Sequence, residues 1–176
     1  MALAITPFQA LCGFRPLPEI ASYLNRTPEL RALVPPSILT AFLSLADSQT
    51  PEGPEEKIAL KNLFASLMTA PDQDVKRQLD RLANRYGQGL GPDDDNEIVD
   101  LVQRLLAQFP GDVGIFCAFV LNYVKLEPRQ AIFLGAGEPH AYIAGGGLLF
   151  SSLNSYSGEL ISQLSVRRLH RMHGKF

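Results

Sequence analysis

Apolar and polar positions follow three successive patterns along this chain. The opening, Met1-Ala-Leu-Ala-Ile5, is a short apolar run that stops at Thr6-Pro7-Phe8, which reads as a buried strand running into a turn. Gly13-Phe14-Arg15-Pro16 interrupts it, and Pro18 stands where the first turn of a helix tolerates a missing N–H. From there to Pro110 the apolar residues recur at helical spacing. Ile20 pairs with Leu24, and Leu30, Leu33 and Val34 follow Thr27-Pro28. Pro35-Pro36 separates these from a stripe of Ile38, Leu39, Phe42, Leu43 and Leu45. Gln49 to Pro54 is polar and proline-rich, hence a loop. Leu60, Leu63, Phe64 and Leu67 line one helical face, and Val75, Leu79, Leu82 and Tyr86 line another that begins behind Pro71-Asp72. Asp93-Asp94-Asp95 puts negative charge at a helix start, where the macrodipole favours it, ahead of Ile98, Leu101, Val102, Leu105 and Phe109. Pro110-Gly111 closes the block.

Asp112 is suited to cap the next helix, Val113 to Leu121, which is apolar on every side and therefore buried all round. Strand texture follows. Val124-Lys-Leu126 alternates, Glu127-Pro-Arg129 turns, and Ala131 to Leu134 reads as a buried β run. Gly135-Ala-Gly137 turns again, and Glu138-Pro139-His140 leads into Ala141-Tyr-Ile143. The order of strand, helical block and strands predicts an α+β fold with a helical domain inserted in a β framework. Strand regions more than 100 residues apart must then meet in space.

The chain's 176 residues match one ordinary domain, and 46% hydrophobic content suffices for a core. A net charge of −2 argues against a general binder of nucleic acid or membrane surfaces. The run from Val113 to Leu121 is far shorter than the about 20 residues of a membrane-spanning helix. The N-terminus lacks the basic and long apolar regions of a signal peptide. Cys12 and Cys117 sit in apolar stretches and read as two buried free thiols of a reducing compartment. A soluble, cytoplasmic protein is expected. Arg167, Arg168, Arg171 and Lys175 against Glu159 make the C-terminal segment basic.

His140 is the sharpest chemical candidate. A glycine-rich turn followed by Pro-His at a strand start is a sound mount for a metal ligand: glycine permits the tight turn, proline fixes φ, and the strand aims the imidazole at one face. Histidine alone does not complete a zinc site, which needs three or four ligands. His170 and His173 have chelating spacing but lie among cations, so they read as a solvated tail. The Asp93-Asp94-Asp95 run reads as a solvated helix start. Gly145-Gly146-Gly147 lacks the Lys-Ser/Thr of a phosphate loop.

Ala2-Leu-Ala-Ile-Thr-Pro-Phe-Gln-Ala-Leu-Cys-Gly-Phe-Arg-Pro16, Pro110-Gly-Asp-Val-Gly114, Leu126 to Leu134 and Glu138-Pro-His-Ala-Tyr142 resemble type I mannose-6-phosphate isomerase. The resemblance implies a cupin-type jelly roll with a helical domain. It also implies a zinc-dependent aldose–ketose isomerase that interconverts mannose 6-phosphate and fructose 6-phosphate, within carbohydrate metabolism and GDP-mannose supply. Its expected partner is a sugar phosphate, with neither nucleic acid nor membrane. In the family, zinc is held by Gln, two His and Glu, and His140 matches the last of these ligands. The other three belong to a stretch that precedes Ala2-Leu-Ala-Ile5, and the segment with the catalytic arginine comes later, so the chain is expected to be truncated at both ends and inactive alone. No catalytic residue is assigned to it, and zinc is not expected to be held by this chain by itself. The expected division is 1–16 for the first β segment of the jelly roll, 17–110 for the helical domain, 111–146 for a helix and strands returning to the jelly roll, and 147–176 for a basic tail unlike the family. The alternative to an isomerase is a non-catalytic fragment or a helical domain that acts through protein contacts; a generic cupin binding module explains the Pro-His turn but not the opening motif.

Overall fold

The computed structural model describes residues 2–46, 53–92, 95–133 and 137–149. Chain packing separates two units: Arg15–Val120, and the flanking segments up to Phe14 and from Leu121 onward.

The first unit is helical. It holds α1 (Leu17–Arg26), α2 (Pro28–Arg31), α3 (Pro36–Leu45), α4 (Pro54–Met68), α5 (Asp72–Gly87) and α6 (Asn96–Gln108), followed by a 3-10 segment, Val113–Phe119. Proline opens or nearly opens the first four helices, where its absent N–H removes a donor that would have no intrahelical partner. The apolar stripes read from the sequence put Leu24, Phe42, Leu63, Leu82, Val102 and Leu105 in nearly inaccessible positions, while Ile38, Leu43, Leu45, Leu60, Phe64 and Phe109 are half-buried. Asp95 caps α6, its Oδ1 accepting from the Ile98 N–H at 3.3 Å, while its Oδ2 accepts from the Tyr23 hydroxyl. Asp93 and Asp94 lie outside the described residues, as does most of the Gln49–Pro54 loop. Asp112 caps the 3-10 segment through the Gly114 N–H at 2.7 Å, and all seven residues of that segment are buried.

One buried ion pair crosses the helical unit. Arg85 donates from Nε to Glu29 Oε1 at 2.9 Å and from Nη2 to Oε2 at 2.7 Å. Glu29 is only 6% exposed, so this two-point contact is what keeps its carboxylate from being a lone buried charge. The unit starts and ends side by side, with the Arg15 N–H donating to the Val120 carbonyl at 2.9 Å.

The second unit contains β1 (Ala2–Ala4), β2 (Phe8–Phe14), β3 (Leu121–Leu126), β4 (Ala131–Ile132), β5 (His140–Ala144) and β6 (Gly147–Leu149). They form two antiparallel sheets, ordered β4-β1-β6 and β3-β2-β5. Phe8 lies opposite Leu126 and Phe14 opposite Leu121, so strand regions more than 100 residues apart do meet. None of the described helices is long and apolar enough to cross a membrane.

Four details depart from the sequence pattern. The helix expected over Val113–Leu121 is a 3-10 segment that ends at Phe119, and Leu121 opens β3. Strand β2 was not anticipated beyond the turn at Phe8. As a central strand it buries Ala10, Leu11 and Cys12 in succession, which erases the alternation of a half-exposed strand. A bulge between Cys12 and Phe14 then shifts its register at Gly13, whose φ of +64° suits glycine. The run from Ala131 is not a buried strand: only Ala131–Ile132 pair, and Phe133 is 79% exposed, because β4 lies at the edge of its described sheet. Leu134 lies outside the described residues. Gly147–Leu149, expected to open the unmatched tail, pairs with β1 instead, Ala4 facing Gly147.

A second tight glycine joins the two strand ends. Gly145 has φ +95°, and a Cβ there would come within 2.2 Å of the Pro7 carbonyl oxygen. Beside it, the Gly146 N–H donates to Thr6 Oγ1 at 2.8 Å, and the Gly146 carbonyl accepts from the Ile5 N–H at 3.0 Å.

Two stability predictions follow from these contacts. Glu29→Ala leaves the Arg85 guanidinium without its carboxylate and should cost about 3 kcal/mol in urea unfolding of the helical unit; a loss within experimental error would show the pair contributes nothing. Gly145→Ala should cost well over about 1 kcal/mol, since both its φ and its contact with Pro7 exclude a side chain.

Candidate functional site

His140 is the first residue of β5 and sits directly opposite Cys12 of β2. Tyr142, two residues on, lies opposite Ala10. A strand sends alternate side chains to one face, so His140 and Tyr142 share a face. There Tyr142 packs on a small buried cluster of Ala4, Phe8 and Ala10 together with Leu126.

The mount read from the sequence is present. Gly137 has φ +83°, Pro139 is buried, and the Gly13 N–H donates to the Pro139 carbonyl at 3.0 Å. His140 itself is half-buried. Its Nδ1 lies 3.0 Å from the Glu138 carbonyl oxygen. A carbonyl can only accept, so this contact places a proton on Nδ1 and, in the neutral ring, leaves the lone pair on Nε2. An imidazole whose second nitrogen donates to a backbone carbonyl is the form in which histidine binds metal ions. The Tyr142 ring stands 5.5 Å from the imidazole, inclined at 57°. The Tyr142 hydroxyl is buried and has no hydrogen-bond partner among the described residues.

Cys12 lies opposite this imidazole, and burial pushes its thiol up, with the Glu138 carboxylate adding to the rise. Burial also raises the Tyr142 phenol, with Cys12 a smaller cause. Among the described residues no three His, Cys, Asp or Glu side chains are grouped closely enough to hold a metal. The described residues thus supply one imidazole donor. His170 and His173 lie outside them, and Asp95 is engaged in capping. Cys12 and Tyr142 were missed as neighbours of His140. The spacing of His140 and Tyr142 on one strand could have paired those two, whereas Cys12 needed the register of β2.

Cys117 is a different kind of thiol. It is fully buried, its Sγ lies 3.9 Å from Met68 Sδ, and burial, then the Asp112 carboxylate, push it up to about 12. Both cysteines are free and buried.

Comparison with known proteins gives a consistent result. The profile of "Phosphomannose isomerase type I, helical insertion domain" matches residues 34–121, half of the chain. The mannose-6-phosphate isomerase of Cryptococcus neoformans var. neoformans is 43% identical over 161 residues, spanning 82% of this chain and 37% of that protein. The corresponding enzymes of Saccharomyces cerevisiae and Rattus norvegicus are each 40% identical over 82% of this chain, covering 35% and 34% of their own lengths. Among solved structures, a zinc-bound mannose 6-phosphate isomerase superposes with a TM-score of 0.61 at 29% identity, over 83% of this chain and 32% of that one. The metal-free form from Salmonella typhimurium gives the same score and identity, over 33% of its chain. This chain therefore spans about a third of the length of the relatives it matches.

The raised Cys117 value makes a pH prediction. The folded thiol holds its proton to about 12 while the unfolded one loses it near 9.0, so the unfolded chain binds fewer protons in that interval. The stabilisation is complete below pH 9.0 and is lost as the pH rises toward 12. Native Cys117 should resist alkylation below pH 9.0 and react once the chain is unfolded in urea; rapid labelling of the native thiol would contradict its burial.

Proposed function

Because this chain belongs to the type I phosphomannose isomerase family, we propose that it forms part of a zinc-dependent isomerase that interconverts mannose 6-phosphate and fructose 6-phosphate, with His140 as one zinc donor. The observation that carries this reading is the imidazole itself: Nδ1 is committed to the Glu138 carbonyl at 3.0 Å, which leaves Nε2 of the half-buried ring as the nitrogen not used on the backbone. Zinc, when bound, supplies Lewis-acid polarisation of the sugar oxygens while a proton moves between C1 and C2. His140 contributes the Nε2 nitrogen, with the Tyr142 ring 5.5 Å from the imidazole. The helical unit is read as an insertion that leaves the strands on either side free to pair. Two buried free thiols support a reducing, cytoplasmic setting, in which the reaction would feed mannosyl-donor supply.

The described residues bring one donor, and zinc needs three or four ligands, so the activity is assigned to the protein of family length rather than to this chain alone. The test exchanges the matching segment of the Saccharomyces cerevisiae isomerase for residues 2–146 of this chain and measures zinc content and sugar-phosphate isomerisation. The chimera should bind zinc stoichiometrically and turn over, while the isolated chain should do neither. His140→Ala in the folded chimera should weaken zinc binding by at least about tenfold. A folded His140→Ala chimera that keeps its zinc at unchanged affinity would remove His140 from the metal site.

A further inference from the structure

We propose that Tyr142 is a positioning residue for His140, holding the imidazole in the orientation and tautomer that present Nε2 to a metal ion. The proposal rests on the reading of His140 as a zinc donor, and it concerns how this chain prepares that donor before any metal arrives.

The need for such a residue is physical. The second side-chain torsion of histidine is broad and nearly twofold, so an imidazole on a strand end can turn over and exchange the positions of its ring edges. Turned over, His140 would lose the Glu138 carbonyl and no longer be bound to the Nδ1–H form. A single neutral hydrogen bond on a half-buried residue competes with water and is a weak restraint by itself.

The ring of Tyr142 supplies the second restraint. It approaches the imidazole at 5.5 Å and 57°, within the range of an inclined aromatic pair. It is itself fixed from another strand, with Phe8 of β2 at 5.3 Å and 55°. Phe8 is buried and belongs to the cluster with Ala4 and Ala10. A rigid wall thus runs from the buried cluster to the imidazole: Phe8 fixes Tyr142, and Tyr142 confines His140. The Tyr142 hydroxyl has no partner among the described residues, so its ring rather than its hydroxyl performs this confinement. Phenylalanine should therefore serve in its place, and a short side chain should not.

The experiment records long-range imidazole ¹H–¹⁵N correlations of the full chain, without metal, at a pH where the rings are neutral. His170 and His173 provide internal references in the same spectrum. The wild type should show one His140 tautomer, with a pyrrole-type Nδ1 and a pyridine-type Nε2, and Tyr142→Phe should leave it unchanged. Tyr142→Ala and Tyr142→Val should lower the ratio of Nδ1–H to Nε2–H forms by about fivefold, the scale of one lost neutral hydrogen bond. The cross-strand contact between Cys12 and His140 reports that the sheet is intact, and Val covers the case in which Ala loosens β5. Phe8→Leu, which leaves β5 untouched, should move the ratio in the same direction. An unchanged tautomer in Tyr142→Val and Phe8→Leu, or an equal loss in Tyr142→Phe, would overturn the proposal. Failure of the zinc reading would appear separately, as unchanged zinc affinity of the His140→Ala chimera.

Discussion

The arrangement of the β unit depends on one pairing: strand β2 takes partners on both edges from segments that lie beyond the whole helical block. Phe8 faces Leu126 on one side, and Cys12 faces His140 on the other. Closing so long a loop costs entropy that grows only slowly with length, so a preformed helical unit can be carried between paired strands at modest expense. The ends of that unit already lie together, with the Arg15 N–H on the Val120 carbonyl, and β2 ends opposite the first residue of β3. Within the β unit, Asn122 spans the bulge at Gly13 by donating from Nδ2 to the carbonyls of Gly13 and Phe14 at 3.3 and 2.9 Å.

The same pairing sets the position of the candidate metal donor. His140 would be a turn residue of no fixed aim if β5 were not registered against β2. With that register His140 lies opposite Cys12, its ring near Tyr142 and its Nδ1 on the Glu138 carbonyl. Beside it, burial raises both the Cys12 thiol and the Tyr142 phenol.

Much of this was legible in the residues because helices and caps are local. Most stripe positions from Ile20 to Leu105 lie on buried faces, and Asp95 and Asp112 are caps, since each needs only a few neighbouring residues to be decided. The strands were less legible. Alternation fails in β2 because side chains on both its faces are buried, and it misleads at Ala131–Ile132, where an apolar run lies at a sheet edge with Phe133 exposed. The pairing of Gly147–Leu149 with β1 depends on the Gly145 turn, which glycine composition suggests but does not locate. At the site, the Pro-His mount and its spacing to Tyr142 are visible in the sequence, whereas the placement of Cys12 requires the cross-strand register. The family resemblance contributed what spacing did not: a reason to regard the single imidazole as one member of a larger donor set.

The most direct measurement is a zinc-edge anomalous diffraction map of a zinc-loaded protein of family length that carries residues 2–146. The account predicts a zinc peak about 2.0–2.1 Å from Nε2 of His140, with Nδ1 still on the Glu138 carbonyl. A zinc ion bound elsewhere, or through Nδ1 with that backbone contact broken, would contradict it.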